Sequence, residues 1–453
     1  MSKFFQHYGM VLVLIALCVF FALITLKEQP QEGPTAASNV FELVQGQTET
    51  SDLVLVVSSN EEASKKTAGL VAAKLSEASY SNVREVSGTP QDVRSLLDEL
   101  KSEGQAPAVI CVSGKEANWR LWEILPTAFP EFSAAPIISP PRSVQSTFTK
   151  MSNLKAIVNR IVVIAVVAIG MTMVIITAGI DLSVGSLIAL SAVIGTYTMK
   201  ELGGLDGSTM TVAIGFFVAV LACGLFGAFS GVLVAWFRIA PFIATLAVMM
   251  IARGNARQVT GGFSIYQVPE SLSWLGQKAS FGIPNTMILL VATYLAAHIF
   301  MSKTKFGRYI YAVGGNEEAA RLSGVPVRRV LIFVYVLSGI TAGIGGCIQA
   351  SQLNAGSPNS ALMYELYVIA AVVVGGTSLA GGSGRILGTL IGAFIIAVIQ
   401  NGMNLIGLES YTQMVVLGFI ILGAVLLDTM RGRSPLKKFV RFAQKAVLRG
   451  SGG

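Results

Sequence analysis

Ten stretches of this chain, 8–26, 161–180, 182–199, 211–237, 239–252, 281–302, 330–364, 366–384, 386–408 and 410–427, contain no Asp, Glu, Lys or Arg. A helix needs about 20 largely apolar residues to cross a hydrocarbon core about 30 Å thick. Inside that core the backbone must also satisfy its own polar groups. These runs therefore point to a polytopic α-helical membrane protein with about ten transmembrane helices. Two runs depart from the pattern. The stretch 239–252 is short and carries Pro241 near its start, so an incomplete or broken helix is expected there. The stretch 330–364 is long enough to hold a helix and an uncharged loop beginning near Ser351.

Charge distribution separates two environments. Only 13% of residues are charged, against roughly 25% in soluble domains, and mean hydropathy is +0.65. Residues 27–142 carry a net charge of −6, which leaves +14 for the rest of a chain whose total is +8. The positive balance does not indicate nucleic-acid binding, because the Lys and Arg residues sit mainly in loops and in the tail, as positive-inside bias requires. The loop with Lys303, Lys305, Arg308, Arg321, Arg328 and Arg329 and the tail with Arg431, Arg433, Lys437, Lys438, Arg441, Lys445 and Arg449 are expected on the cytoplasmic side. Four runs separate them, and six precede the first, so both termini fall inside and residues from about 28 to 150 fall outside. Arg253 and Arg257 then lie on the outer side, against the charge rule. The first run exceeds an ordinary signal core and lacks a small-x-small site before Lys27, so it reads as a retained span.

The organisation expected is an N-terminal transmembrane helix (1–27), an extracytoplasmic α/β insert with a proline-containing linker (28–142), a transmembrane core (143–430) and a basic cytoplasmic tail (431–453). In the insert, 52–58 reads as a buried strand and 60–78 as an amphipathic helix. A weaker strand near 83–86 precedes Thr89 and Pro90, a cap and first-turn proline for a helix ending near Ser102. A third strand, 108–113, and a helix, 116–125, complete three strand–helix units, the pattern of a small parallel sheet with helical cover. A ligand at the carboxyl ends of its strands would meet Ser58, Ser59, Asn60, Ser113 and Gly114; a structural or docking role is the alternative. Pro126, Pro130, Pro136, Pro140 and Pro141 read as an extended linker.

No catalytic constellation is visible. His7 and His298 belong to no metal motif, Cys18, Cys111, Cys223 and Cys347 have no ligand spacing, and there is no phosphate-binding Gly-x-x-x-x-Gly-Lys loop. Three features carry the functional reading. In Gly179-Ile-Asp-Leu-Ser-Val-Gly185, Asp181 and Ser183 can cap the next helix, or contact substrate or a gate, with Gly185 permitting a tight reversal. Gly375-Gly-Thr-Ser-Leu-Ala-Gly-Gly-Ser-Gly384, with Thr377 and Ser378, echoes it, so the spans form two parallel halves or hold two unrelated turns. The loop from Gly314 to Arg329 holds a short helix capped by Asn316, complemented by Glu317 and Glu318, and ended by Gly324; Arg321 and Leu322 lie within it. A helix this short needs a supporting surface, either a partner or the base of the bundle.

Ala168-Ile-Gly-Met-Thr-Met-Val-Ile-Ile-Thr-Ala-Gly-Ile-Asp-Leu-Ser-Val-Gly185, Pro241-Phe-Ile-Ala-Thr-Leu246, Gly307-Arg-Tyr-Ile-Tyr-Ala-Val-Gly-Gly-Asn-Glu317 and Gly375-Gly-Thr-Ser-Leu-Ala-Gly-Gly-Ser-Gly-Arg-Ile-Leu-Gly-Thr389 closely resemble the ribose/xylose-type sugar permeases of bacterial ABC importers over residues 147–430. The resemblance implies an inner-membrane permease without its own ATPase or catalytic site. It would work with a second permease subunit, a cytoplasmic ABC ATPase that binds ATP, and a periplasmic sugar-binding protein, importing a monosaccharide, ribose or another pentose, by alternating access. The family's ATPase-docking helix matches 316–329. The chain departs from the family by carrying more than 100 residues between its first two spans, an insert reminiscent of one lobe of a periplasmic sugar-binding protein. A membrane sensor or scaffold whose outer domain binds a ligand is the alternative.

Overall fold

The computed structural model describes residues 2–432, so the tail positions Arg433, Lys437, Lys438, Arg441, Lys445 and Arg449 lie outside the described residues. The chain divides into two compact units, residues 23–147 and residues 1–22 with 148 onward. The second opens with α1 (Ser2–Ile24).

In the smaller unit, β1 (Leu26–Pro30), α2 (Pro34–Gln45), β2 (Val54–Ser58), α3 (Glu62–Glu77), β3 (Val83–Ser87), α4 (Pro90–Ser102), β4 (Val109–Val112), α5 (Arg120–Ala128), β5 (Ile137–Ile138) and β6 (Arg142–Ser146) follow in order. Strands β3, β2, β4 and β5 lie side by side in that order, all parallel. Alternating side chains build two cores, one on each face. Leu55, Val57, Ile110 and Val112 pack with Val93 and Leu97 of α4 and Leu125 of α5. Val54, Val56, Val109 and Cys111 pack with Val40 of α2 and Val71 and Leu75 of α3. Burial pushes the Cys111 thiol up to about 12, which keeps it an unreactive apolar filler. The expected cap forms, with Asp92 accepting from the Thr89 backbone at 2.7 Å at the head of α4.

Three features of this unit differ from the sequence reading. The helix expected at 116–125 starts at Arg120, because Lys115–Asn118 forms a 3-10 turn that carries Glu116 into the interior. The prolines are not a linker. Pro130 opens another 3-10 turn, and the Pro136 and Pro141 carbonyls accept from Ile110 and Gln31 at 3.0 and 3.1 Å. A proline lacks a donor, yet edge and turn positions require only its carbonyl. Finally, β1 and β6 pair antiparallel from Leu26↔Ser146 to Pro30↔Arg142, closing the unit where the chain enters and leaves it.

The larger unit contains α6 (Met151–Ile176), α7 (Val184–Glu201), α8 (Thr209–Ala235), α9 (Pro241–Thr260), α10 (Ser273–Gly276), the hairpin of β7 (Ala279–Ser280) and β8 (Ile283–Pro284), α11 (Asn285–Lys303), α12 (Lys305–Gly315), α13 (Glu317–Leu322), α14 (Val327–Leu353), α15 (Tyr364–Val374), α16 (Ile386–Leu405) and α17 (Ser410–Gly432). Among the described residues, α6, α8, α11, α14 and α16 are long and apolar enough to cross a membrane, and shorter apolar helices span Gly9–Ile24, Tyr364–Val374 and Ser410–Leu426. This is a multi-pass α-helical membrane protein with a small α/β insert.

Helix α6 is the centre of the bundle: 89% of its apolar window is buried, against 33% for α8 and α11, which leave broad faces for lipid. Glycine decides how closely α8 and α14 approach. A Cβ at Gly227 would lie 2.3 Å from the Tyr335 carbonyl oxygen, and one at Gly339 would lie 2.2 Å from that of Cys223. Gly227 with Gly231 and Gly339 with Gly343 place small residues one turn apart on the facing surfaces, the small-xxx-small arrangement of tight membrane helix pairs. The same logic seats α1, whose buried Phe21 stacks on Phe148 and fills the space that a side chain at Gly402 would occupy.

Two apolar runs fold differently from expectation. The stretch 239–252 is neither short nor broken: α9 runs 20 residues, Pro241 occupies its first turn, and the helix continues through Arg253 and Arg257. Those arginines have a local purpose. Arg253 Nη1 donates to the Pro358 and Ser360 carbonyls at 3.0 and 2.8 Å, and Arg257 Nε to Asn359 Oδ1 at 3.3 Å. They hold the irregular segment 354–363, where Asn354, Ala361 and Met363 adopt positive φ. The run 366–384, in turn, is only partly helical, because α15 ends at Val374 and a glycine-rich loop follows.

Candidate functional site

Asp181 is fully buried and accepts three hydrogen bonds, from the Ser183 backbone at 2.9 Å, Ser183 Oγ at 2.5 Å and Ser338 Oγ of α14 at 2.7 Å. Ser183 occupies the N-cap position of α7, but its side chain makes no cap hydrogen bond. Asp181 thus folds over Ser183 as an Asx-type turn and ties that turn to α14, instead of capping α7. A second tie reaches α9. Thr245 Oγ1 accepts from the Leu182 backbone at 3.1 Å, and its single proton is shared between the Pro241 carbonyl of its own helix at 2.9 Å and the Ile180 carbonyl at 3.1 Å. The turn 180–183 is therefore clamped between two helices by hydroxyl side chains. Gly185, just beyond it, leaves room for α15: a Cβ there would lie 2.1 Å from Glu365 Oε2 and 3.1 Å from the Ala361 carbonyl.

The glycine-rich loop after α15 docks on the same region. The Gly382 backbone donates to the Ile176 carbonyl at 2.8 Å, and a Cβ at Gly314, in the last turn of α12, would fall 1.7 Å from that carbonyl oxygen. Thr377 is buried against Gly384, and Tyr311 of α12 donates to the Gly384 carbonyl at 2.9 Å. Ser378 Oγ donates to Asp428 of α17 at 3.0 Å, which anchors the loop on its other side. The structure thus brings Thr377 and Ser378 to the loop that packs on the end of α6, while Asp181, Ser183 and Gly185 follow that end in sequence.

Helix α13 forms as the sequence requires. Asn316 Oδ1 accepts from the Ala319 backbone at 2.9 Å, Glu317 and Glu318 occupy the first turn, and Gly324 closes the helix at φ +81°. Glu318 pairs with Arg321 at 2.5 Å on the outer surface. Ala320 is buried against the bundle, whereas Leu322 is 80% exposed. Glu317 and Arg321 of α13 also line a cavity of about 610 Å³ with Thr177, Ala178 and Gly179.

In the insert, the suggested ligand positions surround a polar cluster. The crevice between β2 and β4, where the strand order reverses, holds the Glu116 side chain. Its carboxylate accepts from the Ser59 backbone at 2.9 Å and from Ser64 and Ser113 Oγ at 2.6 and 3.2 Å. Burial raises the carboxyl pKa, but the hydrogen bonds from Ser59 and Ser64 outweigh it and leave Glu116 below the usual range. An internal carboxylate thus fills the place where a ligand would sit; Ser58 pairs with Ser87 at 2.7 Å, and Asn60 lies exposed at the rim.

The comparisons agree with the bundle's motifs. The family described as branched-chain amino acid transport system / permease component matches residues 153–425. The chain belongs to this family. The permease is 42% identical over 294 residues to the ribose import permease protein RbsC of Escherichia coli (strain K12), covering 63% of this chain and 88% of that protein. From the same organism, it is 38% identical to the L-arabinose transport system permease protein AraH (63% and 85% covered) and 35% identical to the D-allose transport system permease protein AlsC (62% and 85%). No solved structure matches the permease. The resemblance to sugar-importer permeases therefore holds, and the chain is a membrane permease component of that type, a transport subunit and not an enzyme. Residues 28–142 lie outside the matched region. Sequence reasoning missed Ser338, Thr245 and Glu365, whose polar groups are spread over three helices and meet the turn only in the fold.

Proposed function

We propose that this permease carries a monosaccharide, ribose or another pentose, through the inner membrane by alternating access, driven by a separate ATPase that binds ATP at its own sites. The observation that carries the reading is the position of α13, which presents exposed Leu322 on one side and shares a cavity with Thr177–Gly179 on the other. Pressure on α13 then has a short route to the turn that holds Asp181, Ser183 and Gly185 and to the loop that holds Thr377 and Ser378. In this reading the chain crosses the membrane ten times, through α1, α6 to α9, α11 and α14 to α17, with both termini and α13 cytoplasmic. Two subunits frame the path, and α6 to α9 and α14 to α17 act as parallel halves. Ribose ranks first among the sugars because the ribose permease is more similar than the arabinose or allose permeases.

The insert, 28–142, lies outside the membrane in this topology and positions the periplasmic sugar-binding protein. The crevice filled by Glu116 favours docking over ligand sensing. Deleting residues 35–140 is expected to weaken uptake that depends on the binding protein; unchanged uptake would exclude this role. The deciding experiment reconstitutes the permease with its ATPase and binding protein in vesicles and measures accumulation across a panel of pentoses and hexoses. ATP-dependent accumulation of a pentose is expected. Ligand binding to the insert without flux would favour a sensor instead.

A further inference from the structure

Behind α13 the 610 Å³ cavity has a chemistry that sugar transport does not use. Arg238, Arg321, Arg328 and Arg329 line it against a single acid, Glu317. Arg321 is already paired with Glu318, and among the described residues Arg238, Arg328 and Arg329 have no carboxylate within ion-pair distance. Tyr335 also lines the cavity; its side chain is fully buried, and its hydroxyl, lying against Gly179, has no hydrogen-bond partner. A buried hydroxyl is costly to leave without a partner, so this one is placed to meet a polar guest.

The rim identifies the guest. Trp236 and Phe237, which follow α8, are 62% and 66% exposed, and Phe242 and Ile243 at the start of α9 also face outward. Arg328 lies over the Trp236 ring at 5.3 Å. A tryptophan beside an arginine, with apolar side chains running on from it, is the signature of the membrane interface. A free anion would satisfy the arginines and leave that apolar surface uncovered, whereas a phospholipid engages both, since basic pockets between membrane helices bind anionic headgroups. We propose that the cavity between α13, the α8–α9 turn and α14 binds the headgroup of one anionic phospholipid, with its chains on the surface that begins at Trp236. The phosphate meets Arg238, Arg328 and Arg329, and a headgroup oxygen accepts from Tyr335. The lipid would then sit directly behind the helix proposed to dock the ATPase.

The test uses the full chain in mixed micelles with phosphatidylglycerol or phosphatidylcholine carrying brominated chains, which quench nearby tryptophan; W236F supplies the background from the other tryptophans. Phosphatidylglycerol is expected to quench Trp236 at a mole fraction about fivefold or more lower than phosphatidylcholine, on the basis of about fivefold per surface arginine. Excess inorganic phosphate should leave that preference in place. R238Q/R328Q should cut the preference at least about fivefold, and Y335F should reduce it about twofold. Equal quenching by the two lipids, full displacement by inorganic phosphate, or a preference undiminished in R238Q/R328Q would each overturn the proposal. Should the double variant not fold, R329Q decides on the same scale: a reduced preference supports the site and an unchanged one overturns it.

Discussion

Ser338 of α14 donates a 2.7 Å hydrogen bond to Asp181, 157 positions earlier in the chain, and so ties the turn before α7 to a helix that packs against both α6 and α7. Removing one partner of a buried hydrogen bond costs about 1–3 kcal/mol. S338A is therefore expected to lower stability by about that much in detergent, and to slow uptake several-fold, because the turn loses its tie to α14. D181A, which strands three donors, should cost more. Thermal unfolding and vesicle uptake, measured on the same preparations, check this; wild-type values for S338A in both would refute a clamping role.

At the α8–α14 contact, a methyl group at Gly339 would lie 2.2 Å from a backbone oxygen that cannot swing aside. G339A should therefore destabilise the bundle by about 1–3 kcal/mol through overpacking. G254A, where nothing lies within 4 Å of the added carbon, is the matched control and should be neutral. Equal melting temperatures for the two variants would count against close backbone packing.

Leu322 is exposed at the end of a six-residue helix anchored by Ala320. L322S should leave the permease's melting temperature unchanged and weaken its association with the ATPase at least several-fold, since burying a leucine side chain is worth about 1.5–3 kcal/mol. Charge reversal at Glu317 and Glu318 should act in the same direction. Pull-down and stimulated ATP hydrolysis report this, and normal assembly in L322S would remove α13 from the interface.

Glu116 makes the insert sensitive to acid. Its pKa is depressed in the folded state, so the carboxylate contributes stability that is present above the unfolded value and is lost as pH falls through the folded value. Protection of amides in peptides from 54–64 and 109–118 in the full chain, taken relative to the intrinsic exchange rate at each pH, should fall below about pH 4.5, and E116Q should be less protected than wild type at neutral pH. Identical exchange in E116Q would mean that the serine cluster is held by other groups.

The sequence made some of this legible and concealed the rest for physical reasons. The parallel strands β2 and β4 and the cap of α4 depend on local alternation and on residues three apart, so they could be read directly. Strand β5 was hidden because two residues between prolines carry no periodicity. Arg253 and Arg257 conflicted with the charge rule because their acceptors, at Pro358, Asn359 and Ser360, lie more than 100 residues away. Asp181 stood out as a charge within apolar sequence, but Ser338 and Thr245 are hydroxyls in uncharged runs, and only the fold gives them a partner.

The pairing of β1 with β6 has a consequence for how such a chain can be altered. Residues 26–30 and 142–146 run side by side, so the two ends of everything between them are neighbours across a strand spacing of about 5 Å. A module whose ends meet can be removed and replaced by a short hairpin without asking its host to span a gap. The extra segment is in this sense a cassette, and recombination at two adjacent backbone positions is enough to exchange it for another.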